Sequence, residues 1–128
     1  MFSTTLEHLF LKLNLMNELE HFFDKQEEPV KSTFLFLKDF ILTYHSNIQL
    51  YYKWQMPYLY YKGKPLCYIR KDKKTNEPYL GFAKGSKINH PALIAGDRTL
   101  IKIFPVNPHK DIDVQTLSEI LEEALPLY

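Results

Sequence analysis

Residues 54–69 read WQMPYLYYKGKPLCYI, and the fold of the whole chain turns on that stretch. Tyr58, Leu59, Tyr60 and Tyr61 are strand formers, because bulky and aromatic side chains suit a pleated, half-buried surface. Gly63 supplies the backbone freedom of a tight connection, and Lys62 and Lys64 keep that turn in water. Pro57 and Pro65 have no backbone donor for a ladder, so each marks a strand start. The stretch is therefore predicted to be a β-hairpin. Successive strand residues point to opposite faces. Tyr58 and Tyr60 share one face, and Leu59 and Tyr61 the other. Apolar side chains on both faces mean a central strand covered on both sides, or one covered on one side and forming a pocket wall on the other.

Strand patterns continue on both sides of the hairpin. Ile48, Leu50, Tyr52 and Trp54 alternate with Gln49, Tyr51 and Lys53, which predicts a half-buried strand. Leu66, Tyr68 and Arg70 alternate with Cys67 and Ile69. Residues 71–78 form a polar connection, and Tyr79 to Ala83 a fourth strand in which Gly81 marks a close approach by another group. Gly85 to Asp97 reads as an ordered loop with a helical turn over Pro91 to Ile94. Thr99 to Val106 is the fifth strand, with Ile101 and Ile103 on one face.

Helices flank this run. Leu6, Leu9, Phe10, Leu13 and Met16 have helical spacing, with Ser3 or Thr4 as cap, and the pattern continues to about Gln26. Glu27-Glu28-Pro29 is a helix start, since acids favour the positive end of the helix dipole and proline is tolerated in the first turn. Val30, Phe34, Leu37, Ile41 and Tyr44 then form a buried stripe ending near His45 to Asn47. At the other end, Asp113 is an N-cap and Ile112 with Leu117 a hydrophobic staple. Leu117, Ile120, Leu121, Ala124 and Leu125 face inward there, and Glu119, Glu122 and Glu123 face water. Helices, then strands with short links, then a helix predict an α+β, two-layer sandwich. Its sheet is an antiparallel meander of about five strands with the helices on one face.

The chain has 128 residues with 45% hydrophobic and 15% aromatic content, which suits one domain with a sizeable core. Residues 1–15 read as an N-terminal extension and 16–128 as the domain, with Met16 an alternative start. No apolar run approaches the ~20 residues of a membrane span, and no secretory signal is visible. Cys67 is the single cysteine, which excludes an internal disulfide and fits a reducing, cytoplasmic setting. Net charge is +1 but uneven. Residues 1–28 carry six acids against two lysines, and 107–128 five against one, so each end has net charge −4. Residues 29–106 hold thirteen Lys/Arg against four acids, a net of +9. Such asymmetry serves a polyanion site, self-association of acidic ends with a basic middle, or charge complementarity within one fold.

The hairpin string, then PYLGFAKGSKINHPALI (78–94), then a basic strand leading into KDIDVQTLSEILEEAL (110–125), resembles the YdhG-like family, bacterial domains of unknown function. Trp54, Met56, Pro57, Tyr61, Gly63, Lys64, Tyr68, Gly81, Gly85, Ile103, Asp111, Ile112 and Ala124 carry the likeness, which runs from about Met16 to Tyr128. It implies a compact α+β sandwich. Some members are described as frataxin-like iron chaperones, which implies carboxylate ligands for iron on an acidic helix surface. Glu20, Asp24, Glu27 and Glu28 are spaced for that role, as are Glu119, Glu122 and Glu123, because hard cations take oxygen ligands. The plainer reading of either set is a solvated helix face.

Two other binding modes compete. Trp54, Met56, Tyr58, Tyr60, Tyr68, Tyr79 and Phe82 lie on neighbouring strands and could line a small-ligand or peptide pocket, with apolar walls and hydroxyl handles. Solid core packing is the alternative. Seven Lys/Arg fall between Lys53 and Lys74 with Asp72 the only acid, the mixture that single-stranded nucleic acid needs. A near-zero overall charge and the absence of an RNP-type signature argue against that partner. Catalysis has little support. His8, His21, His45, His90 and His109 are dispersed, Ser86 stands in no nucleophile motif, and Cys67 sits among apolar neighbours. Gly81, Gly85 and Gly96 form no phosphate loop. The chain reads as a binding or accessory protein, monomer or homodimer, rather than an enzyme.

Overall fold

The computed structural model describes residues 6–9 and 18–128. Residues 6–9 are helical and exposed, and residues 18–24 form helix α1. The expected Ser3 or Thr4 cap, Phe10, Leu13, Met16 and the boundary between extension and domain lie outside the described residues. Helix α2 spans Val30–Tyr44 and helix α3 spans Val114–Ala124. Between them run β1 (Ile48–Lys53), β2 (Met56–Tyr61), β3 (Lys64–Lys71), β4 (Pro78–Phe82) and β5 (Lys102–Pro105). They form one five-stranded sheet in sequence order, each strand antiparallel to the next. The fold is thus the α+β, two-layer arrangement that the hairpin reading implies.

Two turns set the register around β2. Lys62 and Gly63 both have positive φ, 53° and 74°, the geometry of a two-residue hairpin turn that matches the strands' twist. The β1–β2 turn has the same form, with Trp54 at φ 49° and Gln55 at φ 62°. Trp54 is therefore a turn residue, not the end of an alternating strand. Ile48 pairs with Tyr61 and Lys53 with Met56. Pairing between β2 and β3 slips between Leu59 and Tyr60, so Leu59 faces Cys67 while Tyr60 faces Pro65. Leu66 is left as the extra residue and packs in the core beside Cys67. Strict alternation would have put them on opposite faces, and the bulge is why it fails.

The two sheet faces have different fates. Ile48, Leu59, Tyr61, Cys67, Ile69, Leu80, Phe82 and Phe104 join Phe22 and Phe23 of α1, Phe34, Leu37 and Ile41 of α2, and Leu117, Ile120, Leu121 and Ala124 of α3 in one core cluster. Burying each of the leucine, isoleucine and phenylalanine side chains among these contributes about 1.5–3 kcal/mol. Phe82 belongs to this core and is fully buried. That corrects its assignment to the tyrosine pocket: Tyr79 and Gly81 share a face, and Leu80 and Phe82 take the other. The second face carries Tyr51, Tyr58, Tyr60, Tyr68 and Tyr79, and contributes no residue to the cluster. Among the described residues no helix packs on it.

The remaining differences are local. The helical turn of the long loop forms at Gly85–Lys87 rather than over 91–94, and the fifth strand is shorter than 99–106. Ile94 bridges to Ile103 instead. The end of the chain is clasped to the sheet. Lys84 Nζ lies 4.1 Å from the Tyr128 ring centre and donates to the Leu127 carbonyl at 2.8 Å. The Tyr128 hydroxyl donates to the Pro65 carbonyl.

Helix ends and turns are held by carboxylates. Asp113 accepts from the Thr116 N–H at 3.0 Å and the Thr116 hydroxyl at 2.7 Å. Glu28 accepts from the Ser32 hydroxyl at 2.7 Å and its N–H at 2.8 Å, and Asp72 accepts from Lys74 and Thr75 N–H groups. These bonds favour the ionised form, so all three carboxyls lie below their ordinary range. A carboxyl whose folded pKa is depressed contributes stability above its unfolded pKa and loses it as pH falls through the folded value. Thermal stability is therefore expected to be flat from neutrality to about pH 5 and to fall below about pH 4. Calorimetric Tm values across that range check this, and Asp113→Asn is expected to shallow the acid limb.

Candidate functional site

Tyr58, Tyr60, Tyr68 and Tyr79 line none of the clefts described below. They pack edge to face, or tilted in the case of Tyr58 and Tyr68, as a row across the open side of the sheet. Ring centres lie 5.2 Å apart for Trp54–Tyr58, 5.3 Å for Tyr58–Tyr68 and 6.1 Å for Tyr68–Tyr79. Tyr51 meets Tyr60 at 5.0 Å. Such pairs contribute about 0.5–1.5 kcal/mol beyond burial. The Tyr68 ring lies where a side chain on Gly81 would have to be, so Gly81 is the close approach that its place in a strand suggested. Burial, reinforced by Tyr79 and Tyr58 and opposed by Arg98, pushes the Tyr68 hydroxyl up to about 12. Tyr58 is raised too, by burial first and then by Tyr60, with Arg70 opposing. The phenols are therefore neutral at ordinary pH and leave nearby cations uncompensated. Lys53 Nζ sits 4.8 Å from the centre of the Tyr60 ring.

A cleft of about 410 Å³ opens at the end of this row. Phe22 of α1, Phe34 of α2 and Met56 of β2 make its apolar floor, and Trp54 and Gln55 stand at its edge. Lys25, Gln26, Arg70, Lys71 and Lys73 complete the lining, and no acid is among them. Trp54 is 68% exposed. Neither Trp54 nor Gln55 is a residue type that favours the left-handed backbone both adopt, which costs of order 1–3 kcal/mol at each. Asn-Gly would form the same turn without that cost. A large aromatic held out by a strained turn above a cationic, apolar-floored cleft is an arrangement for meeting a flat anion.

A neighbouring cleft of about 470 Å³ shares Lys25 and Lys71. There Glu27, Glu28 and Glu77 alternate with those lysines and His109, and the charges offset one another. This is where two of the four carboxylates expected to hold iron lie. Glu20 and Asp24 instead border a separate, more apolar hollow with Leu19, Phe23, Leu35 and Leu50. Asp24 pairs with Lys31 at 3.8 Å, and Glu28 is engaged by Ser32. Among the described residues, no group of three or more His, Cys, Asp or Glu is arranged to hold a metal ion.

Of the predicted pocket residues, Trp54 and Met56 line the cationic cleft. Tyr58, Tyr60, Tyr68 and Tyr79 form the adjoining row, and Phe82 is on the far side of the sheet. Sequence reasoning missed Lys25, Arg70, Lys71 and Lys73 as a group. Arg70, Lys71 and Lys73 stood in the basic run, but nothing local to the chain announces that Lys25 joins them. Glu119, expected to face water, is held by His90. The Ala92 N–H donates to His90 Nδ1 at 3.0 Å, so Nε2 bears the proton and donates to Glu119 Oε1 at 3.0 Å. His90 thus lies in the loop before Pro91 and ties it to α3 through Glu119. Cys67 is fully buried and its thiol is pushed up by that burial, which suits packing and not nucleophilic attack.

No family model, curated protein or solved structure matches this chain. The YdhG-like resemblance rests on the motifs quoted from the sequence.

Replacing Trp54-Gln55 by Asn-Gly is expected to raise stability by about 1–3 kcal/mol in denaturant titration, because the relief of strain at both positions is partly offset by loss of the Trp54–Tyr58 ring contact. Gly81→Ala is expected to destabilise strongly, since the Tyr68 ring must move. In a Tyr68→Ala background the same change should cost far less, and a double-mutant cycle measures that coupling.

Proposed function

We propose that the chain is a small-ligand binding module whose ligand is an aromatic or otherwise flat molecule carrying an anionic group, held in the cleft beside Trp54. One observation carries the reading: an apolar floor of Phe22 and Met56 beneath a lining of Lys25, Arg70, Lys71 and Lys73 in which no carboxylate takes part. Arg70 and Lys73, with Lys25 and Lys71 shared between this cleft and the acid-containing one beside it, raise the local concentration of an anion next to apolar surface and fix its headgroup. Trp54 offers the ligand's flat body a stacking partner at small conformational cost, since its turn already holds it in place. Iron binding, the reading suggested by resemblance, has less behind it. Its carboxylates are divided between separate hollows, and two of them already have partners in the chain. A reducing, cytoplasmic setting goes with the reading, supported by a single, buried cysteine. No described helix is long and apolar enough to cross a membrane.

Trp54 is the only tryptophan, so its fluorescence reports the site directly. Titration with nucleoside monophosphates and aryl carboxylates is expected to quench or shift its emission, while the matching uncharged nucleosides leave it unchanged. Lys25→Ala and Lys73→Ala should each weaken binding by about tenfold, the loss of one charged hydrogen bond. An equal response to charged and uncharged members, or no response to any, would sink the proposal.

A further inference from the structure

The cleft uses one end of a larger surface. From Trp54 the aromatic row continues through Tyr58 and Tyr68 to Tyr79, with steps of 5.2, 5.3 and 6.1 Å between ring centres. Tyr51, Tyr58 and Tyr79 are half-buried, so each still offers part of its ring. Tyr68, flat over Gly81, holds the row in line. Lys53 lies over Tyr60, Arg70 acts on Tyr58 and Arg98 on Tyr68. None of the five strands contains an aspartate or glutamate. Glu18, Glu20 and Asp24 on α1 and Glu119, Glu122 and Glu123 on α3 lie in the helical layer, and Asp72, Glu77 and Asp97 lie in the loops between strands. The near-zero net charge of the chain thus hides strands whose charged side chains are all cationic.

We propose that this open sheet face is a platform for single-stranded nucleic acid, with bases stacking on Trp54, Tyr58 and Tyr79 while Lys53, Arg70 and Arg98 meet the phosphates. Every base has a flat face, so aromatic stations a few ångströms apart serve a strand without needing base-edge contacts. The proposal deepens the anion-site reading of the cleft and rests on it: the cleft would take the nucleotide at one end. Other occupants fit less well. A second copy docked face to face would set Lys53, Arg70 and Arg98 against their own equivalents, with no strand acid to offset them. An added peptide strand needs a sheet edge rather than a face.

Fluorescence polarisation with a labelled oligo(U) of about ten nucleotides tests it. Binding is expected to the single strand and to be much weaker for a duplex of equal length. Three phosphate contacts at about 0.7 each in the salt slope give roughly a 20-fold loss from about 50 to about 200 mM salt. Lys53→Ala, Arg98→Ala and Tyr79→Ala, none of which lines the cleft, are each expected to weaken binding at least fivefold. Tyr79→Phe should keep it, because stacking does not need the hydroxyl, and thermal melts of every variant separate lost binding from lost folding. Failure to bind the oligonucleotide, or binding weakened only by Lys25→Ala and Lys73→Ala, would overturn the platform and leave the cleft reading standing. So would equal affinity for the duplex. Concentration-dependent mass abolished by Tyr79→Ala, without oligonucleotide binding, would assign the face to a second copy instead. Loss of both nucleotide quenching at Trp54 and oligonucleotide binding would overturn both readings.

Discussion

Two-residue turns at both ends of β2 constrain everything else in this protein. A strand shows its side chains to alternate faces, so a slip of one residue in either turn would exchange the core and solvent sets. At one end the turn is Lys62-Gly63, where glycine takes the left-handed backbone without steric penalty. At the other it is Trp54-Gln55, where nothing in the side chains favours it. The register is the same in kind at both ends, but one end is held by local preference and the other against it. What holds the second is the rest of the sheet: Ile48, Leu59 and Tyr61 are seated in the core beneath the helices, and the pairing of β1 with β2 follows.

The result is a sheet with two unlike faces. One is sealed by Phe22, Phe34, Leu37, Ile41 and the α3 stripe into a single apolar cluster. The other has no helix among the described residues and keeps itself ordered by aromatic edge contacts and by cations set over rings. Tyrosine suits that half-wet role. Its ring packs against its neighbours and its hydroxyl remains satisfied by water or by another phenol. The high pKa values that burial imposes on Tyr58 and Tyr68 keep the surface neutral apart from its lysines and arginines.

Most of the architecture was legible because it is written in local patterns. The alternation in β1, the glycine turn, the Asp113 cap and the α2 stripe are each short-range signals, and each has its expected counterpart. What escaped was non-local or quietly irregular. The bulge that sends Leu66 inward sits beside Pro65, which reads from sequence as a strand start and not as a bulge. The turn at Trp54 is invisible because both its residues are atypical for one. Phe82 was grouped with Tyr79 by proximity in sequence, although three residues' separation in a strand puts them on opposite faces. The cleft depends on Lys25, in the turn after α1, meeting Arg70, Lys71 and Lys73 from the end of β3 and the turn after it, a juxtaposition only the assembled layers create.

The acidic helices misled for a related reason. Carboxylates one turn apart on a helix satisfy the spacing of a metal site, but spacing says nothing about what each carboxylate already does. Asp24 has Lys31, Glu28 has the start of α2, and Glu119 has His90. Each is engaged in ordering the chain, and a carboxylate so engaged must give up its partner before it can take a cation. Arg70 and Lys73 at the Trp54 cleft are in the opposite condition, while Lys25 and Lys71 also face the carboxylates of the neighbouring cleft. No acid lines the Trp54 cleft itself, and the phenols beside it stay neutral. A folded chain that keeps like charges together over apolar surface gives up stability to do so. The strained turn that holds Trp54 at the rim adds to that cost at the same place. Two independent penalties converging on one cleft are better explained by a ligand than by the needs of the fold.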